Sequence, residues 1–142
     1  MIVPDANLLL YAEIDAFPEH AAARRWLEDA LNGDRPVGIA PVVLFGFLRI
    51  ATNRRVFEQP LALEDAKARA RCWLDQPVAT CLIAGQAHLD IAFDLLARSG
   101  AAGNLTADAQ IAAHAVEHGG EVHSNDFDFA RFPGLRWFNP LA

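Results

Sequence analysis

Cysteine, lysine and long apolar runs are scarce in this chain of 142 residues. The two cysteines, Cys72 and Cys81, have neither CxxC spacing nor a histidine at ligand distance in sequence. That excludes a sequence-local zinc or dithiol motif and predicts buried free thiols. Lysine occurs only at Lys67, and Lys plus Arg total 12 against 18 Asp plus Glu, a formal net charge of -6 that argues against a generic DNA-coating protein. The longest apolar run, Val42 to Phe47 around Gly46, falls far short of the roughly 20 residues a bilayer requires. The opening Met-Ile-Val-Pro-Asp has no basic stretch leading into an apolar segment, so a cytoplasmic protein without membrane association is expected. No HExxH, GxSxG or GxxxxGK[ST] pattern occurs. What is present, 53% apolar and 21% charged residues over about one domain's length, excludes disorder, collagen and coiled coil.

No internal repeat or linker divides the chain, and residues 1–142 read as a single unit. Short apolar runs at Met1–Pro4, Val37–Ala40, Val78–Ile83, Glu121–Ser124 and Leu135–Phe138 read as strands. Helical patterns begin at Asn7–Ala12 and recur at His20–Leu31, Val42–Thr52, Leu63–Asp75, Gln86–Ala97 and from Asn104 or Thr106, as cap, to His118. In the Gln86–Ala97 helix, Leu89, Ala92, Phe93 and Leu96 share one face, with Asp90, Asp94 and Arg98 opposite. Strands alternating with helices predict an α/β domain of three layers, with a mostly parallel central sheet flanked by helices and a site at the carboxyl ends of the strands.

Three aspartates share or approach that edge. Asp5 follows the first strand, Asp126 follows Glu121–Ser124, and Asp108 lies in the first turn of a long Ala-rich helix. Carboxylates gathered at one edge repel one another unless a cation joins them, and an oxygen-only donor set suits Mg²⁺. That combination suggests metal-assisted phosphodiester cleavage. Each acid also has a plain structural reading: Asp5 as a helix cap, Asp108 as a complement to the helix dipole, and Asp126 or Asp128 in an Asx turn.

Taken together, Val3-Pro4-Asp5-Ala6-Asn7-Leu8-Leu9-Leu10-Tyr11-Ala12, the middle run Phe47 to Phe57, Leu105 to Ala113 and Ser124 to Phe132 resemble a PIN domain, most closely the VapC-type toxins of bacterial toxin–antitoxin pairs. The resemblance covers nearly the whole chain in order. It implies an endoribonuclease dependent on Mg²⁺ or Mn²⁺, usually a homodimer, cleaving cellular RNA and held inactive by a cognate VapB-like antitoxin. The family's acidic residues map onto Asp5, Asp108 and Asp126, with Asp128 as a further metal candidate. Asn7 and Ser124 would support them by hydrogen bonding, or would simply cap. Arg49, Arg54 and Arg55 are the candidate RNA contacts.

One departure stands out. The family commonly carries a glutamate three residues before the arginine of the middle motif, where this chain has Gly46. Glu13, Asp15 and Asp90 are conceivable substitutes. The alternative function is therefore a catalytically degenerate PIN-like module that binds RNA or antitoxin without cleavage. His114 and His118, four residues apart, read as a polar helix face. His20, His88 and His123 read as structural, and Trp26, Trp73 and Trp137 as packing.

Overall fold

The computed structural model describes residues 1–100 and 102–142. Within the expected Ser99–Gly103 connection, Ala101 lies outside the described residues. The element order is β1 (Ile2–Pro4), α1 (Ala6–Glu13), α2 (His20–Asn32), β2 (Val37–Ile39), α3 (Pro41–Ala51), α4 (Leu63–Leu74), β3 (Ala79–Cys81), α5 (His88–Ser99), α6 (Thr106–Glu117), β4 (Glu121–His123) and β5 (Trp137–Phe138). Single 3₁₀ turns occupy Gly103–Leu105 and Phe127–Arg131.

The strands form one parallel sheet in the order β3-β2-β1-β4-β5, flanked by the helices. This is the expected α/β architecture. Of its inner strands, β1 and β2 carry no polar side chain, because both faces are covered: Ile2, Val3, Val37 and Ile39 are all buried, as is Val122 of β4 between Glu121 and His123. Leu9, Phe47, Trp73, Ile111 and Phe129 fill the space between sheet and helices. Phe47 meets Trp73 edge to face, with ring centroids 4.8 Å apart. Among the described residues, no helix is long and apolar enough to cross a membrane.

Three local expectations change. Cys72 and Cys81 are exposed rather than buried. In α4 the buried stripe is Ala66, Ala70 and Trp73, which turns the preceding Cys72 outward, while Cys81 ends an edge strand whose last two residues face solvent. In α5 the buried stripe is His88, Ala92 and Leu95, one residue out of phase with the apolar stripe in sequence, so Leu89 and Phe93 are each 62% exposed. Neither Asn104 nor Thr106 caps α6. Leu105 holds the cap position, and the Thr106 hydroxyl donates back to the Gly103 carbonyl.

Candidate metal and active site

The connections from β1 lead to β2 and β3 on one side of the sheet, and β4 and β5 lie on the other. The crevice at such a reversal, beyond the strand carboxyl ends, is the usual ligand position in open parallel sheets. Here it lies between the ends of β1 and β4, drawn together by the bond from the Asp5 N–H to the His123 carbonyl at 2.9 Å.

Asp5 caps α1 at this crevice. Its Oδ1 accepts the Ala6 N–H at 2.7 Å, at the start of α1, and its Oδ2 accepts the Ser124 hydroxyl at 2.6 Å. Ser124, fully buried just past β4, also accepts the Asp126 N–H at 2.9 Å and the Asn7 amide at 3.3 Å. One hydroxyl thus orders Asp5, Asn7 and the Asp126 backbone. Asp126 forms the anticipated Asx turn, its Oδ1 accepting the Asp128 N–H at 2.9 Å. Asp108, in the first turn of α6, completes the group: one carboxylate oxygen each from Asp108, Asp126 and Asp128 lie within 4.8 Å of one another.

These acids oppose one another's ionisation. Burial pushes the Asp5 carboxyl up, the bonds from Ser124 and Ala6 pull it back, and nearby Asp126 pushes it up again. Asp108 is pushed up to about 7, first by burial and then by the charges of Asp5, Asp126 and Asp128. Among the described residues none of the four forms an ion pair with a basic side chain. The Asn7 Oδ1 is buried without a hydrogen-bond partner. An all-oxygen donor set, mutual repulsion and an orphaned amide oxygen beside it fit a hard divalent cation. The capping and turn readings coexist with this one, because each carboxylate offers more lone pairs than its backbone bond uses.

The three arginines are all exposed. Arg49 is exposed near the end of α3, Arg54 lines a cleft with Thr52, Glu58 and Leu61, and Arg55 is exposed in the turn that follows. None forms an ion pair among the described residues. Gly46 lies on α3 opposite the start of α1, where an added Cβ would meet only the Ala6 Cβ, at an ordinary 3.6 Å. Packing therefore does not require glycine there. Of the three suggested substitutes, Glu13 is committed to Arg69 at 2.8 Å, the Trp73 indole at 2.9 Å and Arg24 at 3.3 Å. Asp15 is exposed beside it, lining a cleft with His20 and Arg69, and Asp90 lies on the exposed side of α5.

Trp137, expected only to pack, and Asn139, not singled out by the sequence, also order this crevice. The Trp137 indole donates to the Ser124 carbonyl at 3.1 Å, fixing the backbone that aims the central hydroxyl. Asn139 donates to Asn125 at 3.0 Å across the same loop. Only the polar tip of a tryptophan next to a strand hinted at this, because such an N–H needs an acceptor when buried. Trp26 likewise does more than pack, its indole donating to His123 Nδ1 at 3.0 Å.

The family model described as "PIN domain" matches residues 2–135. The chain is 52% identical over 141 residues to Ribonuclease VapC33 of Mycobacterium tuberculosis, covering 99% of both chains. Among solved structures it resembles VapBC2 from Rickettsia felis bound to a promoter DNA fragment, with a TM-score of 0.71, 19% identity and 98% of each chain covered. It also resembles VapC20 of Mycobacterium tuberculosis, a sarcin-ricin loop cleaving toxin, with a TM-score of 0.68 and 19% identity, over 96% of this chain and 99% of that one.

Proposed function

Because the chain belongs to the PIN-domain family and, within it, to the VapC ribonucleases, we propose that it is an endoribonuclease toxin working through Asp5, Asp108, Asp126 and Asp128 with Mg²⁺ or Mn²⁺. The observation that carries this reading is the group of unpaired carboxylates at the β1–β4 crevice, with Asp108 raised to about 7. A divalent ion held there supplies charge stabilisation at the scissile phosphate and activation of water.

The chain's own residues prepare that site. Ser124 orients Asp5 by donating to Oδ2 and leaves Oδ1 to hold the α1 N-terminus, so the carboxylate is fixed at both oxygens while keeping free lone pairs. Asn7 presents its amide oxygen from the first turn of α1. Asp108 would be a ligand held close to its protonated form near neutrality, because burial and the charges of Asp5, Asp126 and Asp128 push its carboxyl up to about 7. Arg49, Arg54 and Arg55 supply the phosphate contacts that the net charge of -6 otherwise lacks.

Residues 1–142 act as one unit in the cytoplasm, as a homodimer restrained by a VapB-like antitoxin. The exposed Leu89 and Phe93, one turn apart on α5, support an apolar contact between copies. A second reading, a module that binds RNA without cutting it, is favoured only by Gly46. Incubating purified protein with total RNA in Mg²⁺, Mn²⁺ or EDTA separates the two. Cleavage that needs metal and disappears in Asp5→Asn supports the nuclease; retained RNA binding without cleavage in any metal supports the module.

A further inference from the structure

Helices α5 and α6 pack against each other, and their contact holds a second cluster of ligand-type side chains that the nuclease reading does not use. His88 opens α5, and His114 and Glu117 lie one turn apart towards the end of α6. One ligand atom from each of the three falls within 4.8 Å of the others. The polar helix face expected for His114 is thus corrected: His114 is 5% exposed and His88 7%. Their ring centroids are 4.4 Å apart, and Nδ1 of each is buried without a hydrogen-bond partner. A buried imidazole nitrogen left unpaired is unfavourable.

The third member is held in position by glycine. The Gly85 N–H donates to Glu117 Oε1 at 2.9 Å, and a Cβ at Gly85 would collide with Glu117 Oε2. Only a residue without a side chain lets the carboxylate lie over this backbone beside the imidazoles. His118, one turn beyond His114 with ring centroids 6.4 Å apart, bonds its Nδ1 to the His114 carbonyl at 2.9 Å and stays outside the close group.

We propose that His88, His114 and Glu117 form a second metal site, for a divalent transition ion of the Zn²⁺ class, which ties the loop after β3 and the start of α5 to the end of α6. Two imidazoles and one carboxylate are a donor set that Zn²⁺ accepts, with water completing a tetrahedron. The same set discriminates against Mg²⁺, which prefers oxygen alone. The site is independent of the acid cluster. Asp108 precedes His114 and Glu117 by six and nine residues on the same helix, roughly 9 and 14 Å along its axis, so one ion cannot serve both.

The test uses untagged full-length protein with Asp108→Asn and Asp126→Asn introduced to silence the acid cluster. ZnCl₂ is titrated by calorimetry, and CoCl₂ by visible absorption, with folding checked by circular dichroism. The expected result is one equivalent of Zn²⁺, with d–d bands for Co²⁺ and no response to Mg²⁺. Affinity falls at least about tenfold in Glu117→Gln and in Gly85→Ala, and binding is lost in His88→Gln. Free Zn²⁺ at a hundredfold above its Kd raises Tm by roughly 8 °C only when the site is intact. Gly85→Ala displaces only the end of a flexible side chain, so it keeps the test decisive even if the buried histidine variant fails to fold. A folded protein that binds no Zn²⁺, or equal affinity in Glu117→Gln and Gly85→Ala, overturns the proposal.

Discussion

Neutralising Asp108 should stabilise the metal-free protein while it destroys activity. The Asp108 carboxyl rises from 3.8 to about 7 on folding. Between those values the folded state binds more protons than the unfolded chain, so stability falls as pH rises and the whole penalty is present above about 7. Unscreened, that interval at about 1.36 kcal/mol per pH unit amounts to about 4 kcal/mol. Asp108 is partly exposed, and solvent screening reduces the expected effect to about 1–2 kcal/mol. In EDTA at pH 8, Asp108→Asn should therefore melt roughly 3–6 °C above the wild type. The advantage should shrink at pH 5 and vanish below 3.8, the value at which the unfolded chain also takes up the proton. Saturating Mg²⁺ should reverse the order, because ligand at a hundredfold over Kd adds about 2.7 kcal/mol to the protein that binds it. Thermal melts at the two pH values with and without Mg²⁺ make the comparison. A variant less stable than wild type at pH 8 in EDTA, or an advantage independent of pH, would refute the repulsion argument and leave Asp108 a simple complement to the α6 dipole.

Ser124→Ala removes the hydroxyl shared by Asp5, Asn7 and the Asp126 N–H. It should cost about 1–3 kcal/mol in urea unfolding and lower kcat for RNA cleavage, since buried partners lose their bond. Gly46→Glu should fold, because its Cβ would meet only the Ala6 Cβ, at an ordinary 3.6 Å. It should gain about 0.5–1 kcal/mol of helix stability and bind Mn²⁺ more tightly in a calorimetric titration. Arg54→Ala with Arg55→Ala should raise KM for RNA with kcat retained, and should flatten the salt dependence of binding by roughly 0.7 in log–log slope per lost phosphate contact. An unchanged salt slope would remove both residues from the RNA surface.

The alternation of short apolar runs with helical patterns was enough to expect the parallel sheet, because strands covered on both faces need no polar alternation. Asp5 and Asp126 could be placed at its carboxyl edge because Asp5 directly follows a strand and Asp126 lies in the turn just after one. What local pattern could not reveal is set by long-range contact. The rotation of α5 depends on which side meets α6: His88 turns inward to His114, and Leu89 with Phe93 turns out. Cys72 looked buried by its neighbours' composition, yet the phase fixed by Trp73 points it to solvent. Ser124 was legible as a support but not as the hub of three hydrogen bonds. Two of its partners, Asp5 and Asn7, lie 119 and 117 residues away. The Trp137 bond to its carbonyl depends likewise on β5 pairing with β4.

In the function proposed above, the four aspartates bind the ion on which RNA cleavage depends. Mn²⁺ titration followed by the loss of its free electron paramagnetic resonance signal tests this directly, comparing wild-type protein with Asp108→Asn, Asp126→Asn and assaying RNA cleavage on the same samples. The expected result is Mn²⁺ binding that Mg²⁺ displaces, with binding and cleavage lost together in the double variant. Cleavage that persists in the double variant, or Mn²⁺ binding that the substitutions leave unchanged, would contradict it.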